Sequence, residues 1–117
     1  MADLTGQKCS ACRPDTPPVT EEEKAKLMPQ IPDWQIVQCE EMPRLERVYK
    51  LHDFVHALEF TNQVGAIAEE EGHHPALLTE WGQVTVGWWT HAIRNLHIND
   101  FIMAAKTDRV YEKVRGQ

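Results

Sequence analysis

The alternation of apolar and polar residues divides the chain from residue 20 onward into helical and extended segments. Thr20 and Glu23 stand at capping-box spacing, which predicts a short helix ending near Met28. Two extended runs follow, at residues 34–39 and 44–51, and residues 40–43 form the turn between them. This first pair of strands therefore predicts a hairpin.

A longer helix is predicted next, with Asp53 as its cap, an end near Glu71 and Gly72 as the left-handed residue that terminates it. Its inner face should carry Phe54, Ala57, Leu58, Val64 and Ala68, flanked by Phe60 and Ile67. A second hairpin follows, with strands at residues 76–81 and 83–90 that meet at Trp81-Gly82-Gln83. The last helix should run from about Asp100 to Val114, capped by Asn99 or Asp100.

The order of these elements is helix, two strands, helix, two strands, helix. It predicts an α+β fold in which a four-stranded antiparallel sheet carries three helices on one face, α-β-β-α-β-β-α. Residues 20–117 should form the single domain. Residues 1–19 contain three prolines and no periodic apolar pattern, so they are expected to be a flexible N-terminal extension.

Charge and composition exclude several classes of partner. The net charge of −6 argues against nucleic acid or an anionic membrane surface. No apolar run approaches the roughly 20 residues of a membrane span, and no secretory signal is present. Three cysteines are too few for a disulfide framework, so a cytoplasmic location is expected.

Two patterns raise the question of a metal site. Cys9 and Cys12 form a C-x-x-C, which could be half of a zinc site or a redox pair, although no second ligand pair follows and free thiols are favoured. His52 and His56 are four apart at the start of the long helix, but no H-E-x-x-H pattern accompanies them. The sequence therefore predicts no metal.

Chemistry concentrates between residues 69 and 100, which hold four of the six histidines and three of the four tryptophans. His73 and His74 follow Gly72 and precede Pro75, so they lie in a stiff connection, and the hairpin can return His91 to them. Three imidazoles beside Trp89 suit a flat ring that needs proton transfer. The preceding Glu69, Glu70 and Glu71 are either a solvated turn or a carboxylate source for these histidines.

The run Glu69-x-x-x-His73-His74-Pro75, followed by Trp81, His91 and Asp100, resembles the signature of the pterin-4a-carbinolamine dehydratases. The resemblance covers about residues 20–114 and includes Ile31-Pro32-Asp33-Trp34. The cysteine-bearing segment is also similar to bacterial members associated with phenylalanine hydroxylase.

This resemblance implies dehydration of 4a-hydroxytetrahydrobiopterin, or a related 4a-hydroxytetrahydropterin, to quinonoid dihydropterin without a cofactor or metal. It implies that His73 and His91 are the principal acid/base groups and that His74 orients the pterin. It also implies that Glu69, Pro75, Trp81 and Asp100 contribute to substrate binding, with Asp100 orienting a neighbour or capping the last helix. A homodimer or homotetramer is expected, with phenylalanine hydroxylase as a candidate partner.

Two alternatives belong to other functional classes. The chain could be a regulatory or dimerisation partner of a hydroxylase or a transcription factor, a role that would not need three histidines. It could instead hold a metal on those histidines, although adjacent residues of an extended chain do not readily point at one ion.

Overall fold

The computed structural model describes residues 4–10 and 13–116. Three α-helices, α1 to α3, and four strands, β1 to β4, alternate with 3₁₀ turns at Leu4–Gly6, Met28–Gln30 and His91–Ile93. In chain order they are α1 Glu21–Leu27, β1 Gln35–Cys39, β2 Met42–Lys50, α2 Phe54–Glu71, β3 Ala76–Glu80, β4 Gln83–Trp88 and α3 Ile98–Arg115. All strand pairs are antiparallel in the order β1-β2-β4-β3. The predicted α+β fold is confirmed.

The predicted caps of the first two helices are present. The Thr20 hydroxyl accepts a hydrogen bond from the Glu23 backbone N–H, and the Glu23 carboxylate accepts one from Thr20 N–H. The Asp53 carboxylate accepts from His56 N–H at the start of α2, and Gly72 ends that helix with a φ of 66°.

The buried face of α2 differs from the predicted one. Phe54 and Leu58 are 45% and 44% exposed, whereas Phe60, predicted to flank the stripe, is fully buried. The side chains of α2 that are buried are Ala57, Phe60, Val64 and Ala68. The sequence offers two overlapping apolar stripes, and the helix can turn only one of them toward the sheet.

The turn of the first hairpin is shorter than predicted. Glu40 and Glu41 form its two-residue turn with φ values of 51° and 64°, so β2 begins at Met42 instead of Arg44. Pro43 is tolerated inside the strand because there β2 pairs with β1 alone, and pairing with β4 begins only at Leu45.

The core lies between the sheet and helices α2 and α3. Alternate residues of β2 and β4 supply its sheet side, Leu45 and Tyr49 from β2 and Val84, Val86 and Trp88 from β4. The predicted core face of β4 is thus confirmed. Helix α3 begins at Ile98 with His97 as its cap, so the predicted caps Asn99 and Asp100 are both inside the helix. Seven successive α3 residues, 99–105, are buried, and the N-terminal turn covers the helix from its other side.

The N-terminal segment is packed against the domain, in contrast to the flexible extension expected. Leu4 is fully buried in the common core. Cys9 N–H donates to the Glu71 carboxylate at 2.8 Å, and Ser10 exchanges two hydrogen bonds with the Asn99 side chain. A periodic apolar pattern is recognisable only over several helical turns or strand residues, and a single buried leucine does not produce one. Cys12 lies outside the described residues. None of the described helices is long and apolar enough to span a membrane.

Candidate active site

Three elements converge on one surface cavity of about 310 Å³. Helix α2 ends at Gly72, and the His73 backbone N–H donates to the Ala68 carbonyl, which fixes the exit of the chain from the helix. Ala76 at the start of β3 pairs with Gly87 near the end of β4, so the segment after β4 returns beside the histidine pair. The cavity is lined by Gly72, His73, His74, Thr90, His91 and Ala92.

His73 is held by a buried carboxylate. Its Nε2 lies 2.7 Å from Asp100 Oδ1, and the Asp100 side chain is fully buried. Asp100 Oδ2 accepts from the Thr90 hydroxyl at 2.8 Å and from His97 N–H at 2.9 Å. Asp100 therefore orients His73, ties it to Thr90 after β4, and completes the capping box of α3.

Trp88 supports the same imidazole from the core side. The indole and the His73 ring are parallel to within 6°, with centroids 5.8 Å apart. Trp88 Nε1–H donates to the Thr107 hydroxyl, which in turn donates to the Met103 carbonyl. Helix α3 thus fixes the ring from two sides, through Asp100 at its edge and Trp88 on its face.

His74 points outward and has its own carboxylate. Its Nε2 lies 2.7 Å from Glu69 Oε1, and the two side chains are 57% and 80% exposed. This pair is open to solvent, where an ion pair contributes little to stability. Glu69 and His74 are therefore available to a ligand at the rim of the cavity.

His91 occupies the opposite rim, in the turn that follows β4. Its ring is 4.5 Å from the Trp89 ring at an angle of 35°. Arg44 from β2 covers Trp89, with its guanidinium carbon 4.1 Å from the ring centroid. The three histidines thus line one cavity: a buried carboxylate holds His73, an exposed carboxylate holds His74, and an aromatic ring packs against His91.

The acidic end of α2 acquires partners that the sequence did not specify. Glu71 accepts from Cys9 N–H and forms an ion pair with Lys106 at 3.3 Å. The hydrogen bond from Cys9 and, to a smaller extent, Lys106 lower the pKa of Glu71. Of the three successive glutamates, Glu71 therefore binds the N-terminal segment, and Glu69 pairs with His74.

His97 lies behind the site and caps α3 with its side chain. Its Nδ1 accepts a hydrogen bond from Asn99 N–H at 3.1 Å. Partial burial lowers the pKa of His97, an effect that the nearby Asp100 opposes. His97 is thus favoured as a neutral imidazole, the form that can accept this bond.

Trp81 and Pro75 lie apart from the cavity lining. Trp81 is in the turn between β3 and β4, 73% exposed, at the end of the hairpin opposite His73 and His91. The fold therefore does not bring Trp81 into the cluster expected from the sequence. Pro75 joins His74 to the first residue of β3 and fixes the direction of the chain there.

A larger cavity of about 390 Å³ lies elsewhere, where Lys50, His52, His56, Tyr111 and Arg115 are among the lining residues. The rings of His52 and His56 are 5.5 Å apart, and His56 Nδ1 lies 2.7 Å from Asp53 Oδ1. Within residues 4–10 and 13–116, no three His, Cys, Asp or Glu side chains are grouped to hold a metal ion. That cavity has no imidazole held by a buried carboxylate, so we place the candidate chemistry at the three histidines.

Sequence analysis missed several residues that build the site. Thr90 and His97 bind Asp100, Trp88 stacks on His73, and Arg44 covers Trp89. Thr90 and Trp88 are close to His91 in sequence, and this proximity is the feature from which their place at the site could have been predicted. Arg44 comes from a strand more than 40 residues earlier, and nothing local to it indicates the contact.

Comparison with known proteins finds a matching family and similar chains. Residues 17–110 match the family model described as Pterin 4 alpha carbinolamine dehydratase. A protein of Nitrosococcus oceani that carries the provisional name pterin-4-alpha-carbinolamine dehydratase is 59% identical over 110 residues, 94% of this chain and 97% of its own length. A similarly named protein of Gloeobacter violaceus is 62% identical over 112 residues, with coverage of 96% and 97%.

A solved structure has the same fold. It is described as a transcriptional coactivator/pterin dehydratase from Brucella melitensis, and it superposes with a TM-score of 0.71 at 26% sequence identity. The match covers 80% of this chain and 98% of that one.

Proposed function

The chain belongs to the pterin-4-alpha-carbinolamine dehydratase family and is a hydro-lyase, and from that premise we propose that His73 and His91 dehydrate 4a-hydroxytetrahydrobiopterin or a related 4a-hydroxytetrahydropterin by acid/base catalysis. The observation that carries this proposal is the buried Asp100–His73 pair at the edge of a cavity shared with His74 and His91. A hydrogen bond from an imidazole to a buried carboxylate is an arrangement by which proteins orient a histidine for proton transfer.

The reaction breaks the bond from C4a to its hydroxyl and removes the proton on N5. The departing oxygen takes up a proton and leaves as water, and the electron pair of the N5–H bond forms the C4a=N5 double bond of the quinonoid dihydropterin. One group must give a proton and another must take one, so no redox cofactor or metal is required.

His73 is suited to the base role. Asp100 accepts the hydrogen on His73 Nε2, which leaves Nδ1 as the nitrogen that can take a proton from the substrate. The same carboxylate stabilises the positive ring that results, as in the serine protease triad. Protonation of the departing hydroxyl then belongs to His91, which faces the cavity from the other rim.

His74 and Glu69 are proposed to bind the pterin. The exposed imidazole and carboxylate offer a donor and an acceptor to the ring's amide and amino edge. Substitution here should therefore raise KM more than it lowers kcat. Trp81 is left out of this proposal because it lies at the far end of its own hairpin.

The decisive measurement is the decay of enzymatically generated 4a-hydroxytetrahydropterin, followed by absorbance with and without the protein. The proposal expects clear acceleration by the wild type and its loss in His73→Ala and His91→Ala. If the folded wild type leaves the decay unchanged, the substrate is wrong; if the two variants accelerate it fully, the acid/base assignment is wrong.

A second candidate role is that of an interaction partner. It is favoured by the exposed apolar side chains of Phe54, Val55 and Leu58 at the start of α2, the middle one 71% exposed. We propose that this surface supports a homodimer or homotetramer and is the place where a hydroxylase such as phenylalanine hydroxylase could bind. Sedimentation of the protein with and without purified hydroxylase tests the second part. We propose a cytoplasmic location, which fits the free thiol of Cys39.

A further inference from the structure

His91 has a different support from the other two histidines of the cavity. His73 and His74 each lie 2.7 Å from a carboxylate oxygen. His91 is exposed, and within the described part of the chain its recorded ring contact is with Trp89. The orientation of the His91 imidazole therefore depends on an indole rather than on a hydrogen bond to a carboxylate.

Trp89 is in turn held by a cation. The Arg44 guanidinium carbon lies 4.1 Å from the centroid of the Trp89 ring, which is the geometry of a cation–π contact. Arg44 reaches this position across β4 from the neighbouring strand β2. The guanidinium thus limits the freedom of a half-buried indole at the end of the sheet.

Gly87 supplies the space that Arg44 needs. A Cβ atom built at residue 87 would lie 3.2 Å from both Cδ and NH1 of Arg44, closer than ordinary van der Waals contact. The φ of Gly87 does not fall in the left-handed range that favours glycine. The presence of glycine at position 87 is therefore explained by the close approach of the Arg44 side chain, and not by a backbone conformation that only glycine adopts readily.

We propose that Arg44 and Trp89 are positioning residues for His91, and that Gly87 is the clearance that lets Arg44 lie across the indole. The inference rests on the proposed function, because it assigns His91 a proton transfer. Neither Arg44 nor Trp89 needs to touch the substrate: Arg44 holds Trp89, and Trp89 holds the imidazole at the angle the reaction requires. Because catalysis depends on the placement of the reacting group, a loosened ring should slow turnover.

The first test compares Arg44→Gln with Lys50→Gln, which removes a positive charge from the same face of β2 without a contact to Trp89. We expect Arg44→Gln to lower kcat about three- to tenfold with little change in KM, because a misplaced acid affects the chemical step. Lys50→Gln should keep the wild-type values. Arg44→Lys, which retains a cation over the ring, should recover most of the loss.

The second test reads the position of His91 without turnover. Its ring protons lie beside the Trp89 indole, so their chemical shifts in a ¹H–¹³C spectrum carry the ring current of that indole. Arg44→Gln and Gly87→Ala should move the His91 resonances toward free-histidine values, and Lys50→Gln should not. If Arg44→Gln leaves both the resonances and kcat unchanged, the inference is overturned.

The two readouts separate this inference from the proposed function. A wild-type protein that fails to accelerate pterin dehydration refutes the proposed function, whereas the resonances still report whether Arg44 and Trp89 hold His91. If the wild type is active but the His91 resonances do not change in Arg44→Gln, the positioning role alone is refuted. Should Gly87→Ala fail to fold, Arg44→Gln and Arg44→Lys decide the question.

Discussion

At the scale of single residues, Asp100 determines the character of the site. Its two oxygens receive three hydrogen bonds, from His73, Thr90 and the backbone of His97, and no part of the side chain is exposed. An acid in such a place must be fully paired, since an unpaired buried charge is costly. The imidazole of His73 and the start of α3 are therefore stabilised by the same group.

The histidine substitutions should consequently differ in stability and agree in activity. His91→Ala removes an exposed ring and should leave the free energy of unfolding within about 0.5 kcal/mol of wild type. His73→Ala removes one of the three hydrogen bonds to the buried Asp100 and should cost about 1–3 kcal/mol. Both should reduce turnover by about 10² to 10⁴. Urea unfolding and pterin dehydration assays measure the two effects.

His56→Ala is the control for that pair, because His56 lies outside the cavity of the three histidines. It should keep wild-type turnover. The double variant His73→Ala/His91→Ala should lose less than the product of the single losses if both rings serve one event. Independent, multiplicative losses would indicate two separable roles.

Replacing Asp100 itself should change activity more selectively. Asp100→Asn keeps the shape, but its amide nitrogen cannot accept a hydrogen bond, so one of the two oxygens that hold His73 and Thr90 is lost. We expect kcat to fall at least about tenfold, with KM little changed, because in the proposed mechanism Asp100 orients the base without binding substrate. Steady-state kinetics on the folded variant provides the measurement. A large rise in KM at constant kcat would contradict an orienting role.

At the scale of elements, the cap of α3 makes the stability of that helix sensitive to pH. His97 accepts a hydrogen bond at Nδ1, which a protonated ring cannot do, and burial lowers the His97 pKa below the ordinary histidine value of 6.5. The unfolded chain therefore binds the proton more readily than the folded one. The stabilisation is complete above about pH 6.5 and is lost as the pH falls from there through the folded pKa.

His97→Asn tests this, since asparagine is a good helix cap and does not titrate. The difference in unfolding free energy between wild type and variant should shift in favour of the variant between pH 7.5 and pH 5.5. Other titrating groups are common to both proteins and cancel in the difference. Equal pH dependence in urea unfolding would show that His97 does not contribute to the acid sensitivity of the fold.

How far the sequence predicts an element depends on how local its determinants are. The caps at Thr20, Asp53 and Gly72 are set by neighbours within four residues, and the structure confirms them. The side of α2 that is buried depends on contacts with β3, β4 and α3. These contacts join distant parts of the chain and cannot be deduced from the local sequence of α2. His97 was overlooked as a cap because imidazole rarely serves there, and its role depends on Asp100 in the following turn.

The same distinction holds for the site. The histidine pair and its hairpin are local features, so their meeting with His91 follows from strand register. The contact of Arg44 with Trp89 joins residues that are far apart in sequence but lie at neighbouring strands of the sheet. It requires both the register of β2 with β4 and the absence of a side chain at Gly87. Only the folded sheet brings these three residues together.

At the scale of the whole molecule, the N-terminal segment should matter more than its sequence suggests. It buries Leu4 in the core and donates a hydrogen bond from Cys9 to Glu71, at the end of the helix that precedes His73. Leu4→Ala should cost about 2–5 kcal/mol, as for other buried leucines. Lys8→Ala, at an exposed position of the same segment, should cost nothing measurable.

Deletion of residues 1–10 should have at least the effect of Leu4→Ala, and it should also reduce turnover if the end of α2 loosens. Thermal unfolding and dehydration assays follow the two consequences. A truncated protein with wild-type melting temperature and rate would restore the interpretation of these residues as an extension that the domain does not need.

Assembly is the last property that the surface predicts. Val55 is 71% exposed beside the exposed Phe54 and Leu58, and an apolar group of this kind on a monomer is costly unless another surface covers it. We expect light scattering to give at least a dimer at micromolar concentration, and Val55→Glu to shift it to a smaller species with unchanged circular dichroism. Val48→Glu is the comparison, because Val48 is 45% exposed on the opposite face of the sheet. Dissociation by Val48→Glu alone would place the interface on the sheet, and a monomeric wild type would rule out self-association through α2.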